Sequence, residues 1–318
     1  MSRARTLAFA QLLRIPNVFT AFADVALGAC AASAVLPSAP AGFWIAYAVL
    51  ALASGCLYLA GMVWNDVFDL AEDTKARPFR PLPSGRVAKG TAVALGTLLF
   101  GAGLALAAAA GLPGQPEWNH EPLVFACGIV AGVLIYDAGA KRTPGGPVAM
   151  AACRFLNVLF GLSLVPEAAL DIEYRLHLAA VVGFYIIGVT WFARTEEGKS
   201  RKRDLALAAS VIAVSLLLAL LLRAKLHAAS GPSKHLTQLG TVAFPYLLVG
   251  FGFLVGRPIA RAIGDPSPRA VQAAVKRCVL GLVALDAVLA TMFAGLPGLL
   301  LLLLLPPALV LGKWVYST

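Results

Sequence analysis

The sequence predicts an all-α, polytopic transmembrane helical bundle of nine to ten spans, on three observations. First, the 318 residues are 59% hydrophobic and only 13% charged. A soluble domain carries roughly 25% charged residues, so this chain lacks the polar surface to coat a globule in water; its mean hydropathy is +0.81. Second, charge, Pro and Gly divide the apolar residues into segments of about 20, the length that crosses a hydrocarbon core. Third, Lys and Arg fall on alternate connections, as the positive-inside rule requires. We read residues 1–318 as one domain.

The candidate spans are 18–37, 42–64, 90–111, 121–139, 147–166, 177–195, 204–223, 239–257, 271–293 and 296–314. Arg3 and Arg5 precede an apolar run that Arg14, Pro16 and Asn17 interrupt. That makes a poor signal-peptide core, so the run is read as an uncleaved first span. The connection between spans 2 and 3 holds Lys75, Arg77, Arg80, Arg86 and Lys89, and that between 4 and 5 holds Lys141 and Arg142. Spans 6 and 7 are joined through Arg194, Lys199, Arg201, Lys202 and Arg203, and spans 8 and 9 through a stretch from Arg257 to Arg277. Spans 9 and 10 are separated by a tight turn, Gly295–Gly298, containing Pro297. Of 26 Lys and Arg, 21 fall on one side of this arrangement and four (Arg175, Arg223, Lys225, Lys234) on the other, with Arg154 inside a span. The N-terminus and even-numbered connections are therefore expected in the cytosol. The net charge of +10 follows from this topology and does not point to nucleic acid. Five scattered cysteines without a C-x-x-C pair exclude a disulfide framework or zinc site.

Span 2 runs on into Asn65-Asp66-Val67-Phe68-Asp69-Leu70-Ala71-Glu72-Asp73. On a continuing helix Asn65, Asp66, Asp69, Glu72 and Asp73 fall at roughly 0°, 100°, 40°, −20° and 80° around the axis. Four carboxylates on one face repel one another, at a helix C-terminus whose dipole also disfavours anions. Something cationic has to make the arrangement tolerable. Hard oxygen donors suit Mg²⁺, which takes one or two carboxylates together with substrate phosphates. Arg77-Pro78-Phe79-Arg80-Pro81-Leu82-Pro83-Ser84-Gly85-Arg86 follows at once, a stiffened basic loop whose guanidinium groups suit phosphate. The bland alternative is a solvated acidic helix end balanced by Lys75, Arg77 and Arg80.

Asn65-Asp66-x-x-Asp69-x-x-x-Asp73 followed by Arg80-Pro81-Leu82-Pro83-Ser84-Gly85 resembles the first aspartate-rich motif of the UbiA superfamily of intramembrane prenyltransferases. Arg14-x-Pro16-Asn17 entering span 1, and Tyr136 ahead of Lys141-Arg142, extend the likeness. The resemblance implies a UbiA-like bundle around a central apolar cavity, with Asn65, Asp69 and Asp73 holding Mg²⁺ on an isoprenyl diphosphate and Asp66 supporting them. Arg77, Arg80, Lys141, Arg142, Arg154 and Lys199 are the candidates to meet the diphosphate. The family's second motif, Asp-x-x-x-Asp after span 6, is replaced here by Glu196-Glu197-Gly198-Lys199-Ser200. Glu196 stands in for the first carboxylate as a metal ligand, and the second is missing. This departure resembles the EboC-like branch of the superfamily.

The implied activity is Mg²⁺-dependent transfer of an isoprenyl group to a lipophilic, possibly aromatic, acceptor within the membrane. Diphosphate leaves as an allylic cation forms, so cationic groups stabilise the leaving group and an apolar cavity shields the cation from water. Trp64, Phe68, Phe155, Phe160, Tyr185 and Trp191 are candidates to line that cavity, each with ordinary packing as its alternative. Because the second motif is degenerate, a non-catalytic isoprenoid-diphosphate scaffold, or a transport component of a lipophilic-metabolite pathway, is the competing expectation. Arg154, inside span 5, either reaches the diphosphate or pairs with a carboxylate such as Asp24. Asp24 and Asp286 are expected to pair within the bundle.

Overall fold

A computed structural model describes residues 3–112, 117–194, 200–230 and 238–316. In chain order the helices are α1 (Arg3–Leu12), α2 (Val18–Val35), α3 (Ala41–Phe68), α4 (Leu70–Ala76), α5 (Lys89–Ala110) and α6 (Glu121–Ala138). They continue with α7 (Gly146–Leu162), α8 (Ile172–Ala193), α9 (Lys202–Ser230), α10 (Gln238–Gly264), α11 (Pro268–Ala294) and α12 (Leu305–Tyr316). Short 3₁₀ turns, Ile15–Asn17 and Ala140–Arg142, precede α2 and α7, and a longer 3₁₀ segment, Leu296–Leu304, precedes α12. No strand occurs among the described residues.

Each of the ten expected spans falls on a helical segment. Among the described residues nine are long and apolar enough to cross a membrane, and the exception is the 17-residue α7. At about 1.5 Å per residue α7 covers roughly 25 Å, short of a hydrocarbon core of about 30 Å. It still runs from one end of the bundle to the other. Its first residue, Gly146, lines a cleft with Asp69 and Arg142. Just beyond its last turn, the Ser163 carbonyl accepts a hydrogen bond of 2.8 Å from Asn119, in the connection between α5 and α6. Buried Arg175 closes that far end by donating to the carbonyls of Leu162, Val165 and Leu170. It satisfies acceptors that the short helix leaves exposed, and Glu121 offers its charge a partner at 3.7 Å.

The last span is wound in two ways. Pro306 and Pro307 sit in the first turn of α12, where no N–H is needed. Before them the chain is 3₁₀, whose rise of about 2.0 Å per residue stretches nine residues to about 18 Å; with α12 the pair reaches roughly 36 Å. With α7 counted as a crossing the number is even, and the chain would end on its starting side. Accordingly Gln11 Nε2 in α1 donates to the Val315 carbonyl in α12 at 3.0 Å. Tags placed at the two termini are therefore expected to react together, or be protected together, against a membrane-impermeant reagent. Opposite accessibility would overturn the ten-span reading.

At the centre lies α11, buried without a break from Gly281 to Phe293. A helix apolar all round belongs inside a bundle, and α11 packs against α10, α2, α8 and the 3₁₀ segment.

Candidate functional site

The acidic segment is not one unbroken helix. α3 ends at Phe68, and Asp69 joins it to α4 with φ −88° and ψ 1°. Hydrogen bonds from Asp69 N to Asn65 O (3.0 Å) and from Asp73 N to Asp69 O (2.8 Å) carry the helical register across the junction. The side chains divide into two sets. Asp66 and Asp73, separated by about 20° on the wheel, share Arg80, whose Nη1 lies 2.7 Å from Asp73 and 3.7 Å from Asp66. Arg77 adds a contact of 3.3 Å to Asp73, and Arg14 one of 2.9 Å to Asp66. Asp69 and Glu72 share Arg142, at 3.0 and 3.5 Å. Lys141 reaches Asp69 at 2.7 Å and Asp137 at 3.2 Å. Asn65 donates to Asp137 at 2.6 Å and accepts from Arg14 at 3.4 Å.

Bases from three other parts of the chain meet every one of these carboxylates. Among the described residues no group of three or more His, Cys, Asp or Glu stands ready to hold an ion. The donors are nonetheless hard oxygens of the kind that Mg²⁺ takes one or two at a time beside substrate phosphates. They fit a metal bound jointly with a phosphate ligand, and do not form a protein-only cage.

Arg14 is the site residue that sequence reasoning left out of its candidates. It is also the sole non-glycine with positive φ among the described residues (φ 46°, ψ 44°). That left-handed conformation costs on the order of 1–2 kcal/mol. It turns the chain sharply between α1 and the 3₁₀ turn Ile15–Asn17 and brings the guanidinium to Asp66, 52 positions ahead. The signal was present only as a base beside Pro16 at the head of span 1.

Two spaces meet here. A cleft of about 370 Å³ is bordered by Asp69, Glu72, Lys141 and Arg142 from the acidic and basic segments, and by Arg194 at the end of α8. An inner cavity of about 270 Å³ shares Tyr136 and Thr190 with that cleft. Its wall is largely apolar, from Leu57, Ile129, Val133, Met150, Ile186 and Leu282, with an inner polar group formed by Thr20, Ser54, Arg154 and Asn157 and further polar atoms from Arg14, Asn65 and Asp137 of the charged site. Trp64, Phe68, Phe155, Phe160, Tyr185 and Trp191 do not line it; the aromatic rings that do are Tyr58 and Tyr136. Phe160 and Tyr185 are instead fully buried in packing. Arg154 pairs with Asp24 at 3.1 Å, donates to Thr20 and lies over the Tyr58 ring, 5.6 Å from its centroid. Glu196 and Lys199 lie outside the described residues, whereas Ser200, at the position of the missing second carboxylate, is buried.

Comparison with known proteins agrees with the fold. Digeranylgeranylglyceryl phosphate synthase of Saccharolobus solfataricus is 32% identical over 112 residues, 35% of this chain and 37% of the relative. The same enzyme of Thermococcus gammatolerans is 31% identical over 183 residues, 52% of this chain and 63% of the relative. The match thus spans less than two thirds of each of these curated relatives. A solved structure of a digeranylgeranylglyceryl phosphate synthase in membranes superposes with a TM-score of 0.63 at 17% identity, covering 91% of this chain and 99% of that one. A UbiA homologue from Archaeoglobus fulgidus bound to GPP and Mg²⁺ gives a TM-score of 0.55 at 13% identity, covering 89% and 99%. These matches do not specify a branch. Residues 21–264 match the UbiA prenyltransferase family, and the chain belongs to that family as an integral membrane protein.

Proposed function

We propose that the protein transfers an isoprenyl group from an isoprenyl diphosphate to a lipophilic acceptor inside the membrane, with Mg²⁺ as cofactor. The observation that carries this reading is the stacking of a cleft lined by fixed charges directly on a largely apolar cavity, joined at Tyr136 and Thr190. A diphosphate fits the first and its hydrocarbon tail the second. The relatives named above are prenyltransferases, and a family structure was solved with GPP and Mg²⁺.

In this reading Asn65, Asp69 and Asp73 would hold the metal, with Glu196 as a further ligand and Asp66 in support. Bound there, Mg²⁺ would neutralise charge on the diphosphate. Arg77, Arg80, Lys141, Arg142 and the newly found Arg14 exchange carboxylate partners for phosphate oxygens as the C–O bond breaks, and Lys199 supplies a further cation for the diphosphate. Each of those contacts strengthens as negative charge grows on the leaving group, which is the condition for lowering the barrier. The apolar wall keeps water from the allylic cation, and the faces of Tyr58 and Tyr136 are the rings positioned to stabilise it. The cleft opens on the side carrying most of the Lys and Arg, which we assign to the cytosol.

A second reading is a non-catalytic isoprenoid-diphosphate binder, favoured by Ser200 where a second carboxylate would be. Incubation of the purified chain with radiolabelled geranylgeranyl diphosphate, Mg²⁺ and a cell lipid extract separates the two. Diphosphate release with a labelled lipid product, abolished by chelating Mg²⁺, is the expected result. Mg²⁺-dependent binding without release would establish the scaffold instead, and neither binding nor release would overturn both.

A further inference from the structure

The inner polar group of the cavity is held from behind by two carboxyl groups for which the proposed reaction has no use. Asp24 on α2 and Asp286 on α11 are both 0% exposed, and neither lines the cavity. Asp24 Oδ2 is well satisfied, with Arg154 Nη1 at 3.1 Å and Asn157 Nδ2 at 2.8 Å. Its other oxygen and both oxygens of Asp286 meet no donor among the described residues. Yet the two carboxyl groups stand within hydrogen-bonding reach of each other. Two carboxylates are acceptors only and cannot bond; one carboxylate and one carboxylic acid can.

The surroundings offer no other solution. Arg154, from α7, is the cation of this group. From α3, Tyr58 faces Arg154. Tyr185 on α8 has given its hydroxyl hydrogen to the Cys278 carbonyl, at 2.8 Å. The 3₁₀ segment Leu296–Leu304 holds only Leu, Pro and Gly, and the side chains that α10 buries among the described residues, Phe244, Leu248, Phe251, Val255, Ile259 and Ala262, are all apolar. Two buried anions against one guanidinium would leave a net negative charge in the bundle interior, where no second cation among the described residues pairs with either, an arrangement that spans avoid.

We propose that Asp24 and Asp286 hold one proton between them, so that Asp286 donates to Asp24 Oδ1 and Asp24 remains the anion that fixes Arg154 and Asn157 on the cavity wall. The assignment within the pair follows from contacts: Asp24 touches the guanidinium, and no ion pair among the described residues reaches Asp286. Both are positioning residues. They orient the two donors that a substrate entering the inner end of the cavity meets, with Ser54 bonded to Asn157 Oδ1 at 2.7 Å completing that surface. The proton count holds whether or not the chain transfers a prenyl group.

The test is infrared difference spectroscopy on the purified full chain in lipid nanodiscs at neutral pH. The wild type minus Asp286→Asn spectrum is expected to show one protonated-carboxyl C=O band, shifted in deuterated water. Asp24→Asn removes the same band, because the remaining acid then ionises beside Arg154. Asparagine reproduces the neutral, donating form of Asp286, so Asp286→Asn melts within a degree or two of wild type, whereas Asp24→Asn melts many degrees lower. A wild-type spectrum without that band overturns the proposal. So does an Asp286→Asn protein that loses as much stability as Asp24→Asn or fails to fold.

Discussion

Replacing Asp69 by Ala is expected to lower diphosphate release by about 10²–10³-fold, the scale of losing one group that stabilises a charged transition state, while leaving thermal stability nearly unchanged. The geometry separates the two effects. Asp69 holds Lys141 and Arg142, but each has a second carboxylate, Asp137 at 3.2 Å and Glu72 at 3.5 Å. Neither base is stranded when Asp69 goes. The lost pairs are partly solvated, and pairs of that kind contribute on the order of 0–1 kcal/mol. Asp73 is the contrast. It is 1% exposed and lies between Arg77 and Arg80, so Asp73→Ala removes both an expected ligand and the anchor of the Arg77–Arg86 loop, and activity and melting temperature fall together. Diphosphate release and a melting curve on both variants check this. Wild-type release by Asp69→Ala would remove it from the metal site, and a large fall in its melting temperature would make its role structural.

Much of this site was legible because a helix converts spacing into direction without help from the rest of the fold. The angle that puts Asp66 with Asp73 corresponds to the Arg80 that receives both, and the break at Asp69 does not disturb the register; that Asp69 shares Arg142 with Glu72 is set by where that base arrives. What spacing does not convey is who arrives from elsewhere. Arg14 reaches Asp66 through a left-handed residue, a backbone choice that no pattern of side chains announces. Lys141 joins Asp69 to Asp137 only because α6 packs beside α3. The acidic face read in isolation therefore shows its carboxylates but not the bases that meet them. The same limit governs Asp24 and Asp286: expected to pair within the bundle, they give no sign in sequence that one guanidinium has to serve two carboxyl groups. Each apolar segment that hydropathy marks falls on a helical stretch, yet hydropathy is blind to winding, and the 3₁₀ segment Leu296–Leu304 reads like any other leucine-rich stretch. Glycine positions are a further case, since spacing says that a small residue is present but not what presses against it.

Gly28→Ala is expected to be the most damaging single-methyl change in the bundle, because α2 and α7 cross there with no room for a side chain. A Cβ on Gly28 would lie 2.1 Å from the carbonyl oxygen of Gly161, and one on Gly161 would lie 2.9 Å from the backbone of Asp24 and Val25. Paired small residues of this kind let helices in lipid approach closely enough for dispersion forces to hold them. The obstacle is backbone on both sides, so no rotamer can yield and the helices have to separate. One turn away on the same two helices stand Asp24 and Asn157, with Arg154 a turn further, and their contacts of 3.1 and 2.8 Å do not survive a separation of an ångström or more. Overpacking costs about 1–3 kcal/mol where a core can adjust; here the loss of the buried Asp24 contacts adds to it, and folded yield falls sharply. Gly256→Ala in α10 is the matched control, since nothing lies within 4 Å of its added methyl and alanine is the better helix former by about 1 kcal/mol. Size-exclusion profiles and melting curves of the two variants decide the matter. Equal stability would mean that the α2–α7 crossing is looser than its backbone distances require, and the polar group behind the cavity would then need another support.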